Sequence, residues 1–258
     1  MLTQRQPGSR GQTGQGTTPA GAKDEQQAAT WVRGMFGSIA PRYDLLNHLL
    51  SLNIDRYWRA RTVKQVSDVL ARPGARVLDL CCGTGDLMLA LQAQRGAVIY
   101  GSDFCHPMLV AARRKVEGRR LSSALFEADA LTLPLANASV DLITMAFGFR
   151  NLANYQDGLS ELLRVLSPGG LAAILEFSAP PNPVLSRLYN YYSRAILPVI
   201  GGWISGSKEA YSYLPESVRK FPGAVELADQ MRDAGFTNVR FERMTAGIVA
   251  LHLGQRPG

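Results

Sequence analysis

Apolar residues recur at two different spacings along the chain, and each spacing predicts a type of element. From residue 75 onward, short apolar runs predict strands at Arg76–Leu80, Ala97–Ser102, Leu125–Ala128, Val140–Ala146, Leu171–Phe177, Asn238–Glu242 and Gly247–Leu253. Between them, apolar residues at helical spacing predict helices at Leu87–Gln94, Met108–Val116, Gln156–Leu166 and Ala224–Ala234. Strands that alternate with helices are typical of an α/β protein with a doubly wound, mostly parallel sheet.

Three further segments lie outside this alternation. Residues 30–71 repeat apolar residues at helical spacing, broken at Pro41, and predict N-terminal cap helices. Residues 178–221 predict a helical insert, rich in Pro and Tyr, before the last helix–strand units. Residues 1–29 hold no aromatic residue and few apolar ones, so we expect a disordered tail. The predicted folded domain therefore covers residues 30–258.

The composition excludes several classes of protein. With 258 residues, 46% hydrophobic and 19% charged, the chain is too apolar to be disordered as a whole. The net charge of +7 favours an anionic partner, such as nucleic acid or an acidic membrane surface, or contributes to solubility alone. Part of this positive charge is concentrated in one segment, at or just after the predicted helix Met108–Val116. Five basic residues there surround the single acid Glu117: Arg113, Arg114, Lys115, Arg119 and Arg120.

The cysteines and the hydropathy indicate the compartment. Cys81, Cys82 and Cys105 have no metal-ligand spacing, so we expect no metal site and a reducing, cytoplasmic environment. The N-terminus lacks the apolar region of a signal peptide, and no uncharged apolar run is long enough for a membrane-spanning helix. We therefore expect a cytoplasmic protein.

A glycine-rich turn after the first predicted strand is the strongest candidate for chemistry. It reads Asp79-Leu80-Cys81-Cys82-Gly83-Thr84-Gly85-Asp86, and its glycines allow a ligand to approach the backbone closely. Asp103 ends the second strand, where an acid can accept hydrogen bonds from ribose hydroxyls. Asp129 follows the third strand, within reach of a nucleoside base. The placement indicates a ligand that carries a nucleoside.

Two ligand classes fit this layout, and an ordinary turn without a ligand is the third possibility. A dinucleotide site would need glycine at position 88, where this chain has Met88. S-adenosylmethionine carries no phosphate, and Asp79 and Asp86 can approach its ammonium group. The missing glycine therefore favours S-adenosylmethionine over a nicotinamide cofactor.

The motifs resemble a known family. The glycine-rich turn, the two strand-end acids, Pro168-Gly169-Gly170 and the C-terminal strands resemble a Rossmann-like class I S-adenosylmethionine-dependent methyltransferase. More specific motifs resemble the ubiquinone/menaquinone biosynthesis C-methyltransferases. They lie at residues 42–58, Phe147–Asn151, Leu175–Ser178 and Tyr211–Ser217, within a resemblance that covers about residues 30–255.

The resemblance implies an activity and a cofactor site. The family methylates a ring carbon of a polyprenylated hydroquinone, and we favour demethylmenaquinol over the ubiquinone precursor. The cofactor positions of the family fall on Thr84, Asp103, Asp129 and Ala130. With Asp79, Gly83 and Gly85 of the glycine-rich turn, these are the expected cofactor-binding residues. At position 146 the family often has serine, so Ala146 lacks one hydrogen bond to the cofactor.

Catalytic and substrate-binding residues are expected on three segments. Arg150 and Asn151 follow a buried strand at the carboxyl edge of the sheet, where substrates bind. Arginine is a poor base, so we expect this pair to orient a water molecule or the ring oxygen for proton removal. We expect residues of the N-terminal helices and of the insert to line the quinone pocket: Tyr43, Asp44, Asn47, Tyr211, Tyr213 and Ser217. Ordinary packing without a role in substrate binding is an equal alternative for these residues.

The sequence is compatible with more than one binding partner. Residues 184–204 are amphipathic and would suit a peripheral contact with an anionic membrane, or else a core helix or a homodimer interface. Phe147–Asn151 stands where amide methyltransferases carry an Asn/Asp-Pro-Pro-Tyr/Phe motif, so no nucleic-acid partner is expected and an RNA or protein methyltransferase is disfavoured. An inactive binding protein of the same fold is the remaining alternative. The expected location is the cytoplasm, at the inner face of the cell membrane.

Overall fold

A mostly parallel sheet forms the centre of the fold. The computed structural model describes residues 16–95, 99–121, 123–192 and 208–258. Within them one sheet contains seven strands: β1 (Val77–Leu80), β2 (Tyr100–Asp103), β3 (Leu125–Glu127), β4 (Val140–Ala146), β5 (Leu166–Phe177), β6 (Thr237–Met244) and β7 (Val249–Gln255). All the strands of the alternating pattern are therefore confirmed, with ends that differ by a few residues.

The strand order places the ligand site. The order is β3-β2-β1-β4-β5-β7-β6, with β1 to β5 parallel and β7 antiparallel to both of its neighbours. The chain runs outward from β1 to β3 and then returns to β4 on the other side of β1. Ligands bind at such a reversal, beyond the carboxyl ends of the strands. The predicted doubly wound sheet is confirmed.

Both faces of the sheet are covered by apolar side chains. Successive strand residues point to opposite faces, so Val77 belongs to one buried cluster and Leu78 to the other. Leu142 and Ile143 of β4 divide in the same way. Burial on both sides explains why these strands are almost continuously apolar.

Helices cover the two faces and the carboxyl edge of the sheet. They are α1 (Glu25–Ile39), α2 (Tyr43–Leu50), α3 (Ile54–Gln65), α4 (Ser67–Leu70), α5 (Asp86–Arg95), α6 (His106–Gly118), α7 (Tyr155–Val165), α8 (Pro183–Tyr191), α9 (Lys208–Lys220) and α10 (Ala224–Asp233). A third buried cluster joins α1, α2, α6 and α9 through Val32, Leu46, Met108 and Tyr213. The N-terminal helices are thereby held next to the insert.

The predicted boundary of the tail at residue 30 is wrong. Helix α1 begins at Glu25, capped by Asp24, whose carboxylate accepts a hydrogen bond from the backbone N–H of Gln27. Thr17 is only 6% exposed. Composition suggested disorder because the segment carries few apolar residues, but contacts with distant parts of the chain order it. Residues 1–15 lie outside the described residues.

The turn Pro168-Gly169-Gly170 lies inside a strand. Helix α7 ends at Val165 and β5 begins directly at Leu166. The register between β4 and β5 shifts here: Val140 pairs with Leu166, whereas Leu142, two residues later, pairs with Leu171. The extra residues form a bulge. Of the insert, α8 and α9 are described, and residues 193–204 of the predicted amphipathic segment lie outside the described residues.

Candidate active site

The glycine-rich turn joins β1 to α5 and depends on close packing. Gly83 and Gly85 have φ values of +55° and +87°, which favour glycine. A Cβ atom on Gly85 would lie 3.2 Å from the terminal methyl of Met88. Met88 is fully buried, and its sulfur occupies the space where a Cβ on Gly101 of β2 would lie. The side chain of Met88 therefore fills the space between helix and sheet, whereas the third glycine of a dinucleotide site lets the helix pack closely against the strand.

Asp103 is fixed at the carboxyl end of β2. One of its oxygens accepts the N–H of Gly83 at 2.9 Å and the other accepts the N–H of Cys105 at 2.9 Å. Burial raises the pKa of Asp103 to about 6. The two amides hold the carboxylate in place, with lone pairs left for further donors.

A cleft lies at the carboxyl edge of β1, β2 and β4, and we call it the cofactor cleft because several predicted cofactor residues line it. It is a cavity of about 60 Å³, and three of the predicted cofactor residues besides Gly83 line it, namely Asp103, Asp129 and Ala130. The floor is tight, because a Cβ on Gly148 would lie 2.4 Å from the Cβ of Cys81. An acid after β2 and another after β3 suit the ribose and the base of S-adenosylmethionine. Gly85 lines none of the described cavities and serves the turn instead.

Asp79 presents a buried oxygen that has no partner. It lines a second small cavity of about 40 Å³ together with Gly83 and Thr84. One carboxylate oxygen accepts the hydroxyl of Thr144 at 2.6 Å, and the other has no hydrogen-bond donor among the described residues. Burial raises the pKa of Asp79 to about 7. A buried acceptor beside the turn fits the ammonium group of the cofactor.

We predict opposite effects of Asp79→Asn on stability and on cofactor binding. A carboxyl whose pKa rises from 3.8 to about 7 on folding destabilises the protein as the pH rises through that range. At pH 8 the variant should therefore melt roughly 2–6 °C higher than wild type. It should also show a smaller thermal shift with S-adenosylmethionine, because the ammonium loses its counter-ion. A lower melting temperature with an unchanged ligand shift would contradict both expectations.

A polar network holds the N-terminal helices against the turn. Asp44 of α2, predicted to line the quinone pocket, accepts a hydrogen bond from the hydroxyl of Thr84 and pairs with Lys115 at 2.6 Å. Lys115 also pairs with Asp86 at 2.6 Å, so it faces the interior while its basic neighbours are exposed. Arg59 of α3 bonds to Asp86 at 3.2 Å. Asp44 and Thr84 thus belong to the support of the turn.

A larger cavity of about 350 Å³ lies beside the cofactor cleft. Of the predicted site residues, Tyr43, Asn47, Arg150 and Tyr213 line it. Its walls are mainly apolar and aromatic, and include Met35, Phe36, Ile39, Trp58, Phe147, Phe177 and Tyr189. A cavity of this size and lining is typical of a site for an apolar small molecule.

Three predicted substrate residues are not seen in this cavity: Asp44, which belongs to the polar network, Ser217 and Tyr211. The hydroxyl of Ser217 donates to the carbonyl of Leu214 at 2.9 Å, and its side chain lines a separate small cavity behind α9. Tyr211 lies on α9, but its side chain is outside the described residues. The motif Tyr211–Ser217 therefore contributes Tyr213, while Ser217 bonds within its own helix.

The cofactor cleft and the large cavity share three side chains. Phe36, Tyr43 and Phe147 line both cavities. Phe147 is held in the left-handed region, with φ +59°, and packs against Trp58 and Phe177 at ring distances of 5.8 and 4.8 Å. A methyl donor in the cleft and an acceptor in the cavity would therefore meet at Phe147 and Tyr43.

Arg150 is a buried cation that borders the large cavity. Its guanidinium donates to Glu176 at 2.8 Å and to the carbonyl of Phe147 at 2.6 Å. Glu176 is fully buried and also accepts the backbone N–H groups of Arg150 and Phe177. Although burial opposes the charge, Glu176 raises the pKa of Arg150 above its ordinary value. The guanidinium therefore stays charged beside an apolar cavity.

Asn151 shares a carbonyl with Arg150. Its side-chain amide donates to the oxygen of Phe147 at 3.2 Å, and its amide oxygen accepts the hydroxyl of Tyr213 at 3.0 Å. Tyr43 lies opposite, and burial raises the pKa of its phenol. Both predicted catalytic residues are thus brought together at the boundary of the two cavities.

Sequence reasoning missed several groups of the site. Glu176 lies in the quoted motif Leu175–Ser178, but only the fold shows that it neutralises Arg150. Asp55 lies in the motif at residues 42–58 and Arg59 directly follows that motif, and both line the large cavity. A carboxylate in an otherwise apolar strand is the signal that would have indicated Glu176.

The described ranges contain neither a metal-binding cluster nor a membrane-spanning helix. Among residues 16–95, 99–121, 123–192 and 208–258, no group of three or more His, Cys, Asp or Glu side chains could hold a metal ion. In the same ranges, every helix is too short or too polar to cross a membrane.

The sheet order and the site define a class of protein. A solved SAM-dependent methyltransferase from Thermotoga maritima has the same fold, with a TM-score of 0.61 over 86% of this chain and 98% of that chain, at 19% identity. The pattern of the ubiE/COQ5 methyltransferase family matches residues 21–256. The chain belongs to that family and is an S-adenosylmethionine-dependent methyltransferase, which confirms the predicted enzyme class and cofactor.

Two proteins of similar sequence have names that refer to quinone biosynthesis. A protein from Thermus thermophilus named demethylmenaquinone methyltransferase is 50% identical over 224 residues, which are 86% of this chain and 100% of the relative. A ubiquinone/menaquinone biosynthesis C-methyltransferase from Syntrophotalea carbinolica is 46% identical over 225 residues, 87% of this chain and 93% of the relative. The resemblance seen in the motifs is thereby confirmed over most of the chain.

Proposed function

We propose that this chain methylates a ring carbon of a polyprenylated hydroquinone, converting demethylmenaquinol to menaquinol. The observation that carries the proposal is an apolar cavity of about 350 Å³ that adjoins the cofactor cleft, with the charged Arg150 in its wall. The names of the Thermus thermophilus and Syntrophotalea carbinolica proteins support the substrate class. The ubiquinone precursor, methylated by the same mechanism, is the alternative.

The chemistry requires a nucleophilic carbon in line with an activated methyl group. S-adenosylmethionine supplies that methyl on a sulfonium centre. Loss of the proton from a ring hydroxyl raises the electron density of the adjacent ring carbon. Arg150 stabilises the resulting phenolate, because its guanidinium is charged and fixed by Glu176. Aligning the two reactants between Phe147 and Tyr43 accounts for a further part of the rate enhancement.

Proton removal is assigned to an oriented water rather than to arginine. Arg150 has too high a pKa to act as a base. The amide of Asn151 and the phenol of Tyr213 form a polar edge beside it, and both can hold a water or the ring oxygen. After methyl transfer the proton on the methylated ring carbon leaves to such a water, which restores the aromatic ring. No metal is needed for either step.

Purified protein tests the proposal directly. Reduced demethylmenaquinone with a short prenyl chain is incubated with S-adenosylmethionine, and the products are separated and weighed by mass spectrometry. We expect a gain of one methyl on the ring and an equal amount of S-adenosylhomocysteine. The reduced ubiquinone precursor, assayed in parallel, decides between the two quinones. Turnover of neither quinol by protein that binds S-adenosylmethionine would refute the proposal.

A peripheral membrane contact is part of the proposal. The mouth of the large cavity is bordered by Leu52, which is 76% exposed although it lines the cavity. Leu45 and Leu49 on α2 are also exposed, at 60% and 44%. The net charge of +7 would add attraction to an anionic surface. We propose that these leucines face the inner leaflet of the cell membrane, so that a prenylated ring can enter the cavity from the lipid.

Vesicle flotation tests this contact. We expect the double variant Leu49→Ser, Leu52→Ser to bind phosphatidylglycerol vesicles at least about tenfold more weakly than wild type, because each leucine loses its lipid contact. Val225→Ser, at a 54% exposed valine of α10 that lines none of the described cavities, is the matched control. Unchanged binding of the double variant would contradict the proposal. If the double variant instead loses a dimer seen by sedimentation, these leucines form a homodimer interface.

A further inference from the structure

A short N-terminal segment outside the matched family region packs behind the site. We call residues 16–18 the N-terminal strap; they precede residues 21–256, which the family pattern covers. The backbone N–H of Thr17 donates to the carbonyl of Leu152 at 2.8 Å. Leu152 lines the cofactor cleft, so the strap lies directly behind the wall of that cleft.

The strap is packed too closely to be a chance contact of a loose tail. A Cβ atom on Gly16 would lie 2.0 Å from the carbonyl oxygen of Ala153, so glycine is required there. Thr17 is buried, and Lys220 at the end of α9 donates to the carbonyl of Thr18 at 3.1 Å. The strap thus joins the loop after β4 to the insert, on the two sides of the site.

The side chain of Thr17 completes a chain of hydrogen bonds. Its hydroxyl lies 2.7 Å from the phenol oxygen of Tyr213, and the hydroxyl of Tyr213 donates to the amide oxygen of Asn151 at 3.0 Å. Since the proton of Tyr213 is used in that bond, Thr17 must be the donor to Tyr213. Asn151 in turn donates to the carbonyl of Phe147, which also accepts from Arg150.

We propose that Thr17 is a positioning residue for methyl transfer, acting through Tyr213 on Asn151. A tyrosine hydroxyl can rotate, and a donor on its oxygen fixes the direction in which it points. That direction decides which end of the Asn151 amide faces Phe147 and which faces Tyr213. The inference rests on the proposed function, because it assigns Asn151 and Tyr213 to the reacting edge of the cavity.

The role of Thr17 is tested with three variants of the full chain. Thr17→Val removes the hydroxyl and keeps the shape and the backbone bond, Thr17→Ser keeps the hydroxyl, and Thr18→Val is the control. Thr18 is exposed, and among the described residues its hydroxyl has one hydrogen-bond partner, the ammonium of Lys220 at 3.3 Å. We expect Thr17→Val to lower kcat roughly tenfold with KM for S-adenosylmethionine unchanged, and Thr17→Ser and Thr18→Val to stay near wild type. In a Tyr213→Phe background, Thr17→Val should have little further effect.

Three outcomes would overturn the proposed role of Thr17. Wild-type kcat in Thr17→Val would overturn the proposal, and so would a loss of kcat that Thr17→Ser does not restore. A tenfold loss that persists at full strength in the Tyr213→Phe background would also overturn it. Hydrogen exchange at residues 147–153 needs no quinol, and faster exchange in Thr17→Val is expected. If wild-type protein methylates neither quinol while exchange still responds, the proposed function fails and the docking of the strap stands.

Discussion

Replacing Arg150 with alanine is expected to lower kcat by about a thousandfold, with S-adenosylmethionine affinity changed by less than about threefold. Arg150 borders the large cavity, which we propose to bind the methyl acceptor, and is held by Glu176 and the carbonyl of Phe147. Its charge would act on the phenolate, which develops only when the ring hydroxyl is ionised. Removing it therefore affects the chemical step rather than cofactor binding. Stopped-assay turnover and calorimetric titration with S-adenosylmethionine measure the two effects separately.

Loss of Arg150 also leaves Glu176 without its counter-ion, and that effect needs a control. An unpaired buried carboxylate destabilises a protein by about 3–5 kcal/mol, which could unfold the variant. Arg150→Lys keeps the charge but cannot bond to both acceptors in the same geometry, so a loss of about a hundredfold in a stable protein is expected. Arg164→Lys is the matched control. Arg164 is ion-paired with Glu161 at 2.7 Å but lines none of the described cavities, so this variant should retain full activity. Near-normal turnover of folded Arg150→Ala would refute the role of this residue.

The sheet and the class of cofactor could be predicted because each depends on local pattern. Strands covered on both faces must be apolar, so their limits were visible within a few residues. Gly83 and Asp103 occur at the ends of such strands, and parallel strands bring their carboxyl ends to one edge. Met88 favoured S-adenosylmethionine over a nicotinamide cofactor, and membership of the methyltransferase family confirms that preference. The side chain of Met88 packs between α5 and β2.

Pairings between distant side chains could not be predicted in the same way. Asp44 was assigned to the quinone pocket from its motif, yet its partners are Thr84 and Lys115, 40 and 71 residues away in sequence. Thr17 lies in a segment whose composition indicates disorder, and its burial comes from contacts with Leu152 and Tyr213. Motifs indicate which residues take part, but the packing of helices against the sheet decides which of them meet.

Asp103→Asn is expected to weaken S-adenosylmethionine binding about a hundredfold. The two oxygens of Asp103 already accept the N–H groups of Gly83 and Cys105. Ribose hydroxyls that donate to the remaining lone pairs form charge-assisted bonds, each worth about 1.5–3 kcal/mol. The amide introduced by Asp103→Asn is uncharged and can accept from only one of the two backbone groups. Both the ligand contact and the turn are therefore weakened.

The pH dependence of binding distinguishes the carboxylate of Asp103 from a purely structural effect. Burial raises its pKa to about 6, and hydroxyl donors of the ligand favour the ionised form. Linkage then requires the contribution of Asp103 to wild-type affinity to be full above pH 6 and to fall as the pH drops below it, by up to about tenfold per pH unit. Asp79, whose pKa is about 7, adds a separate fall that begins near pH 7. Asp103→Asn should lose only the fall below pH 6. Asp141→Asn, at an ion pair with Arg76 outside the described cavities, should keep it. A wild-type affinity that is flat between pH 5 and pH 8 would show that the carboxylate does not bind the cofactor.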